Sequence, residues 1–378
     1  MQRLIRRAAL AVYLAALLIF PAAASAQTKA KVQVERDTLE MVFVLDTTGS
    51  MGGLIDGAKQ RIWGIINEVM QKPSKPRVRV GLVAYRDVGD EYVTKTLTLT
   101  EDLDKVYTTL MEYRADGGGD TPENVRKALA EGVRNAGWSN PKAGVAQILF
   151  LVGDAPPQNY EQEPDVLVTT AEAVKKNMIV NTIQCGSADD TRQIWQTIAL
   201  RGEGKYFAIA QDGGVQAIST PYDARLAELA LKNGKTYLTY GSKDQREMLS
   251  LRQVSIDSSI AARAPVAAQA ERAVNKAVNS FQYDGDLVQD VENGAVKLEE
   301  IKKDDLPDDL QKLTPAERKK EIERRIAERQ KIRAEILELS KKRDEFIAAE
   351  RKRQGTKTGF DSAVALALKE QLMRRGIK

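Results

Sequence analysis

The chain has no histidine and a single cysteine, Cys185, among its 378 residues. The first absence removes the commonest general base and the commonest zinc and copper ligand. A Ser-His-Asp or Cys-His apparatus is therefore excluded. The second rules out an internal disulfide and a thiolate metal cluster. Any metal ion held here must take oxygen ligands, which selects hard cations such as Mg²⁺, Mn²⁺ or Ca²⁺. A dominant charge is missing too, since 57 basic residues face 53 acidic ones. Bulk charge gives no support for nucleic acid as a partner.

One long apolar run is present, at the start. Arg3, Arg6 and Arg7 precede an unbroken apolar stretch from Ala8 to Phe20; Pro21 and the small-residue segment Ala24-Ser25-Ala26 follow. The stretch falls short of the ~20 residues that span a bilayer. It reads as an export signal over 1–26. Its removal takes the basic count from 57 to 54 against 53 acidic residues. A periplasmic or extracellular protein with no stable membrane span is expected.

After a polar lead-in at 27–37, apolar strands alternate with helical stretches over 38–233. Met41–Leu45 and Ala146–Val152 read as continuous apolar strands, Arg77–Tyr85 as a strand through Val78, Val80, Leu82 and Val83, and Met178–Ile183 and Tyr206–Ile209 as further strands. Helical spacing marks Leu54–Met70, Val106–Met111, Val125–Val133, Val166–Lys176 and Ile194–Leu200. This order predicts an α/β fold, a doubly wound, mainly parallel Rossmann-like sheet buried on both faces. Tyr92–Leu99 alternates and could be an antiparallel edge strand. The remainder reads as a helical, partly coiled-coil-like region. It comprises a connector with helices over 234–313, a long charged helix over 314–353, and a linker with a short amphipathic helix over 354–378. Thr314-Pro315-Ala316-Glu317 is a helix start, with a capping Thr, Pro at the first position and Glu at the third. Arg329 and Arg343 interrupt the apolar stripe of that helix. Packing of the stripe on the preceding domain is the first expectation, and a homo-oligomer through it the second.

The candidate chemistry lies in three loops. Asp46, Thr48 and Ser50 place oxygen atoms at i, i+2 and i+4 between a buried strand and a helix, with Gly49 allowing a tight turn. In a parallel sheet such a loop sits at the carboxyl end of a strand, where ligands bind. Gly117-Gly118-Gly119-Asp120-Thr121-Pro122-Glu123 opens a helix, with Thr121 as the expected cap; no Gly-Lys-Ser/Thr follows to make it a phosphate loop. Asp154 ends the run Leu149–Gly153 with a carboxylate. Asp116 and Asp120 read as solvated turn residues, Asp87 as a salt-bridged structural residue, and Cys185 as a small core residue.

In register, these segments resemble the metal-ion-dependent adhesion site of von Willebrand factor A domains, over roughly residues 38–225. That family's pattern is Asp-x-Ser/Thr-x-Ser, then a Thr on a second loop, then an Asp after a later strand. Asp46, Thr48 and Ser50 match the first part, Thr121 the second and Asp154 the third. The resemblance implies a divalent ion, usually Mg²⁺, whose last coordination position is filled by a Glu or Asp of a protein partner. It points to a non-enzymatic interaction or adhesion module. A metal-dependent hydrolase and a scaffold with a stabilising metal are the alternatives.

Overall fold

The computed structural model describes residues 37–71, 76–119, 123–214, 218–279, 281–355 and 359–377. The export signal at 1–26, the lead-in at 27–36, Asp120 and Thr121 lie outside the described residues.

The first half runs β1 (Thr38–Asp46), α1 (Gly52–Met70), β2 (Arg77–Tyr85), β3 (Thr94–Thr100), α2 (Leu103–Glu112), α3 (Val125–Arg134), β4 (Val145–Gly153), α4 (Val166–Lys175), β5 (Met178–Cys185), α5 (Asp189–Arg201) and β6 (Glu203–Ile209). The strands form one six-stranded sheet in the order β3-β2-β1-β4-β5-β6. All neighbours pair parallel except β2 and β3, which are antiparallel. β3 is thus the antiparallel edge that its alternation suggested.

The unbroken apolar runs have a direct cause. Leu39, Met41, Phe43 and Leu45 of β1 face one core while Val42 and Val44 face the other. In β4, Ile148, Phe150 and Val152 join the first and Leu149 and Leu151 the second. Helices α3, α4 and α5 close the second core and α1 and α2 the first. Because the chain leaves β1 in one direction for β2 and later adds β4 on its other side, a crevice opens between the carboxyl ends of β1 and β4.

The second half contains α6 (Asp223–Gly234), α7 (Lys243–Arg263), α8 (Val266–Val278), α9 (Leu287–Glu292), α10 (Asp308–Gln311), α11 (Pro315–Gln354) and α12 (Phe360–Arg374). α11 starts as its sequence indicates. The Thr314 side chain accepts from the Glu317 amide, and Glu317 Oε2 accepts from the Thr314 amide at 2.8 Å, closing a capping box. Gly355 ends it at φ 65°.

The apolar stripe of α11 does not lie on the sheet. Ile332, Ile336 and Leu339 pack with Leu226 and Leu229 of α6 and Ala270 and Val274 of α8. Ile322 and Ile326 pack with Leu287, Val288, Leu306 and Leu310. Both arginines that interrupt the stripe are buried. Arg329 is 0% exposed and donates to Asp286, to the Thr236 hydroxyl and to the Thr236 carbonyl at 2.5, 2.8 and 2.8 Å. Arg343 donates to Asp223 and Glu271, each at 2.7 Å. Glu271 also accepts from Arg61 of α1 at 3.2 Å, so an ion network ties the helical layer to the sheet domain.

α12 returns to the sheet. It packs on α1, β5 and β6. Phe360, Val364, Leu368 and Leu372 belong to the same core as Phe43 and Phe150. The terminal helix therefore supplies part of one covering layer of a sheet that ended some 150 residues earlier. Among the described residues no helix is long and apolar enough to cross a membrane.

Candidate metal centre

β1 delivers Asp46 to the crevice, and the chain turns at once through a short 3₁₀ segment, Gly49–Met51, into α1. Asp46 and Thr48 are buried and Ser50 is exposed. Asp46 Oδ1 accepts from the Thr48 amide at 2.9 Å and from the Thr48 hydroxyl at 2.7 Å. The Thr48 and Ser50 hydroxyl oxygens are 3.5 Å apart. The first three expected donors therefore share one small volume.

The glycine-rich loop is latched against this turn. The Gly49 amide donates to the Gly117 carbonyl at 3.2 Å, and the Asp116 amide to the Thr47 carbonyl at 3.1 Å. Gly118 has φ +74°, and a Cβ there would lie 2.9 Å from Thr48 Cβ and 3.0 Å from Glu123 Oε1. Close approach, as well as conformation, requires glycine. Thr121 itself lies outside the described residues. The cap position of α3, expected at Thr121, is held by Asn124, whose side chain accepts from the Lys127 amide at 3.0 Å. Asn124 is the residue directly before the helix, whereas Thr121 stands three further back.

Asp154 follows β4 across the crevice from Asp46, and its Oδ2 accepts from Gln211 at 2.6 Å. Asp87 is buried, and both of its oxygens accept from the Tyr160 hydroxyl at 2.9 Å, a tyrosine where a salt bridge was expected. Asp90 accepts from the Gly118 amide at 3.1 Å. Asp116 is exposed, as a turn residue should be. Cys185 is 1% exposed, and burial pushes its thiol well above the usual range, consistent with a packing role.

Glu123, Gln211 and Asp90 were not read as site residues. Glu123 is 5% exposed, and its Oε2 has no hydrogen-bond partner. Its place in a Thr-Pro-Glu loop was the available signal. Gln211 and Asp90 carry none, because only folding brings Gln211 to Asp154 and Asp90 to Gly118.

The electrostatics are one-sided. Asp46 Oδ2 is buried without a hydrogen-bond partner. Burial raises Asp46 to about 7, against the lowering effect of the Thr48 amide and hydroxyl and of the neighbouring Tyr85 hydroxyl, and Asp154 raises it further. Glu123 is raised to about 8, by burial first and then by Asp46, Asp87, Asp154 and Asp90. The nearby cation is turned away: Arg86 Nε donates to the Thr47 carbonyl at 3.2 Å, and its Nη2 to the Arg114 carbonyl at 2.8 Å. A buried, unpartnered carboxylate oxygen beside two hydroxyls and facing a second carboxylate is the donor set a hard divalent cation takes. Among the described residues no three Asp, Glu or Cys side chains group closely enough to hold an ion alone.

A pH dependence follows. An ordinary carboxylate titrates near pH ~4 when unfolded. With Asp46 at about 7 and Glu123 at about 8, the folded chain binds more protons than the unfolded chain between those limits. Stability without divalent ions therefore falls as pH rises through this window, and the loss is complete above it. A cation in place of the proton removes the penalty. Thermal melts in EDTA should fall from about pH 6 to about pH 8.5, Mg²⁺ should raise the melting temperature more at the higher pH, and Asp46→Asn should flatten both trends. Equal Mg²⁺ effects at both ends would count against the assignment.

A doubly wound α/β domain with an oxygen-donor crevice at the switch in strand order is the class that fold and site define. Comparison with known proteins narrows it: residues 40–221 match the family model for the von Willebrand factor A domain. The chain carries a von Willebrand factor A domain, followed by a helical region. It is 41% identical over 87 residues to the rat von Willebrand factor A domain-containing protein 7, a match covering 23% of this chain and 9% of that protein. It is 26% identical over 237 residues to an ariadne-like RING finger protein of Acanthamoeba polyphaga mimivirus, covering 56% of this chain and 22% of that one. The chain thus spans less than a quarter of the length of these curated relatives. Among solved structures, a conserved hypothetical protein BatB from Bacteroides thetaiotaomicron aligns with TM-score 0.33 and 16% identity over 46% of this chain and 90% of that one.

Proposed function

We propose that Asp46, Thr48, Ser50, Thr121 and Asp154 hold one hard divalent cation, Mg²⁺ by the family resemblance, and that the bound cation grips a carboxylate of a protein partner. Domains of this family commonly mediate protein–protein interaction. The observation that carries the reading is Asp46 Oδ2, buried without a hydrogen-bond partner among the described residues, beside carboxylates that no described arginine or lysine pairs with. The ion supplies a Lewis-acidic position for an acidic group. Asp46 supplies charge, Thr48 holds the second Asp46 oxygen in place, and Ser50 at the open mouth faces solvent. Asp154 is oriented by Gln211. Sparse protein ligands leave the ion room for a partner's oxygen.

A binding role rather than a hydrolytic one rests on the absence of histidine and, among the described residues, of a carboxylate group able to hold a second ion. The export reading places the function in the periplasm or outside the cell. Self-association through α11 is not part of the proposal, since its apolar stripe from Ile322 to Leu339 is filled from within the chain.

Calorimetric titration of Mg²⁺ and Mn²⁺ into the exported chain tests the site. Saturable one-site binding is expected, with loss in a folded Asp46→Ala variant. Unchanged binding in that variant would sink the assignment.

A further inference from the structure

The crevice lies in an acidic rim. Asp87 and Asp90 border it on the β2 side, and with Asp46 and Asp154 they lie close enough to raise Glu123. Asp116 is exposed on the loop latched to Thr47. Asp190 is exposed beside Thr191, whose hydroxyl donates to the Asp154 carbonyl at 3.1 Å. Asp212 is exposed against the start of α1, near enough that a Cβ on Gly53 would lie 2.7 Å from its Cα.

The cations at this end are largely committed. Arg86 is buried under the loop. Arg192 pairs with Asp189 at 2.6 Å. Lys59 donates to the Tyr113 carbonyl at 3.0 Å and pairs with Asp56 at 3.6 Å. Among the described residues, Arg114 is an exposed cation nearby. A divalent ion offsets the charges of Asp46 and Asp154, leaving Asp116, Asp190 and Asp212 exposed and Asp90 half-buried, with Asp87 and Glu123 buried behind them. An incoming carboxylate adds one more negative charge to this field. Unscreened repulsion of that kind selects against a partner whose whole surface is acidic.

We propose that the partner segment is an acidic residue flanked by lysine or arginine: its carboxylate completes the metal position and its basic neighbours meet the rim. This rests on the metal-grip reading above and adds what surrounds the gripped residue. The unpartnered, buried oxygens of Asp46 and Glu123 mark where the ligand enters the cluster. Val88, 54% exposed between Asp87 and Asp90, offers the rim one apolar contact.

The test uses three synthetic peptides on the full exported chain with Mg²⁺: Lys-Lys-Gly-Glu-Gly-Lys-Lys, the same peptide with glycine flanks, and the basic peptide with alanine for glutamate. At low salt the basic peptide should bind at least tenfold tighter than the glycine-flanked one, a difference of ~1.4 kcal/mol. The preference should shrink in half-molar NaCl as the charges are screened. Replacing glutamate by alanine should cost at least tenfold. In the triple variant Asp116→Asn, Asp190→Asn, Asp212→Asn the preference should drop to about threefold or less, because three of the rim charges are gone. Equal binding of the basic and glycine-flanked peptides, or no binding of any peptide, overturns the inference. Binding of the basic peptide that persists in EDTA and in Asp46→Ala overturns the metal grip and leaves the acidic rim as the binding element.

Discussion

A chain ending at Gln354, and so lacking α12, is expected to lose its cooperative unfolding transition rather than to release a stable sheet domain with loose helices. Phe360, Val364, Leu368 and Leu372 are each at most 2% exposed. The Phe360 ring lies 6.0 Å from that of Phe43, which stacks on Phe150 at 5.2 Å. Gln371 and Asn181, in the middle of β5, exchange two amide hydrogen bonds at 2.6 and 3.0 Å in a buried site. Removing the helix opens the first core along β5, β6 and α1 and strips one partner from the buried Asn181 amide. At ~1.5–3 kcal/mol per buried large side chain the four side chains alone contribute roughly 6–12 kcal/mol. That equals the total stability of an ordinary domain, ~5–15 kcal/mol. Urea unfolding followed by circular dichroism decides it. A truncated chain with a steep transition near that of the intact one would show that α12 is dispensable. The same argument warns against cutting at residue 221, where the match to the family ends. Leu368→Ala is the milder form, with an expected cost of ~2–5 kcal/mol.

The second large effect concerns Arg329 and Asp286, an ion pair in which both side chains are 0% exposed. Asp286 Oδ1 accepts from the Leu238 and Val288 amides, each at 3.2 Å, while Oδ2 takes Arg329. Even so, burial raises the carboxyl above its ordinary range against the pull of the guanidinium. The pair is therefore satisfied in geometry but costly in solvation. Breaking it should hurt more than replacing it. Asp286→Ala leaves a buried guanidinium without its counter-charge and should cost ~3–5 kcal/mol. The double change Arg329→Met, Asp286→Leu should recover most of that loss, because no buried charge remains. Denaturant midpoints of Arg329→Met, Asp286→Leu and the double variant measure this directly. A double variant as unstable as the sum of the singles would show that the Thr236 and backbone hydrogen bonds, not the charges, hold α11 in place.

The elements of the sheet domain were legible because each is written locally. Runs such as Met41–Leu45 and Ala146–Val152 have no polar face, and a strand without one must be covered on both sides. The loop donors were legible for the same reason: Asp46, Thr48 and Ser50 lie within five residues, and Asp154 directly follows an apolar strand. The beginning of α11 was set by Thr314, Pro315 and Glu317 alone, since a capping box involves only neighbours in sequence.

What tertiary structure decided was everything that depends on a distant partner. Arg329 and Arg343 look like breaks in a stripe, yet both are inside, because Asp286, Asp223 and Glu271 arrive from other helices. Periodicity records which side chains are apolar. It cannot record whether a counter-charge will make a buried cation tolerable. Glu123 joins the site for a similar reason: the approach of Gly118 to Thr48 brings its carboxylate beside Asp46. The covering of β5 and β6 by α12 lay furthest beyond the sequence. An amphipathic helix needs an apolar surface, and the sequence by itself states the need without naming the surface that meets it.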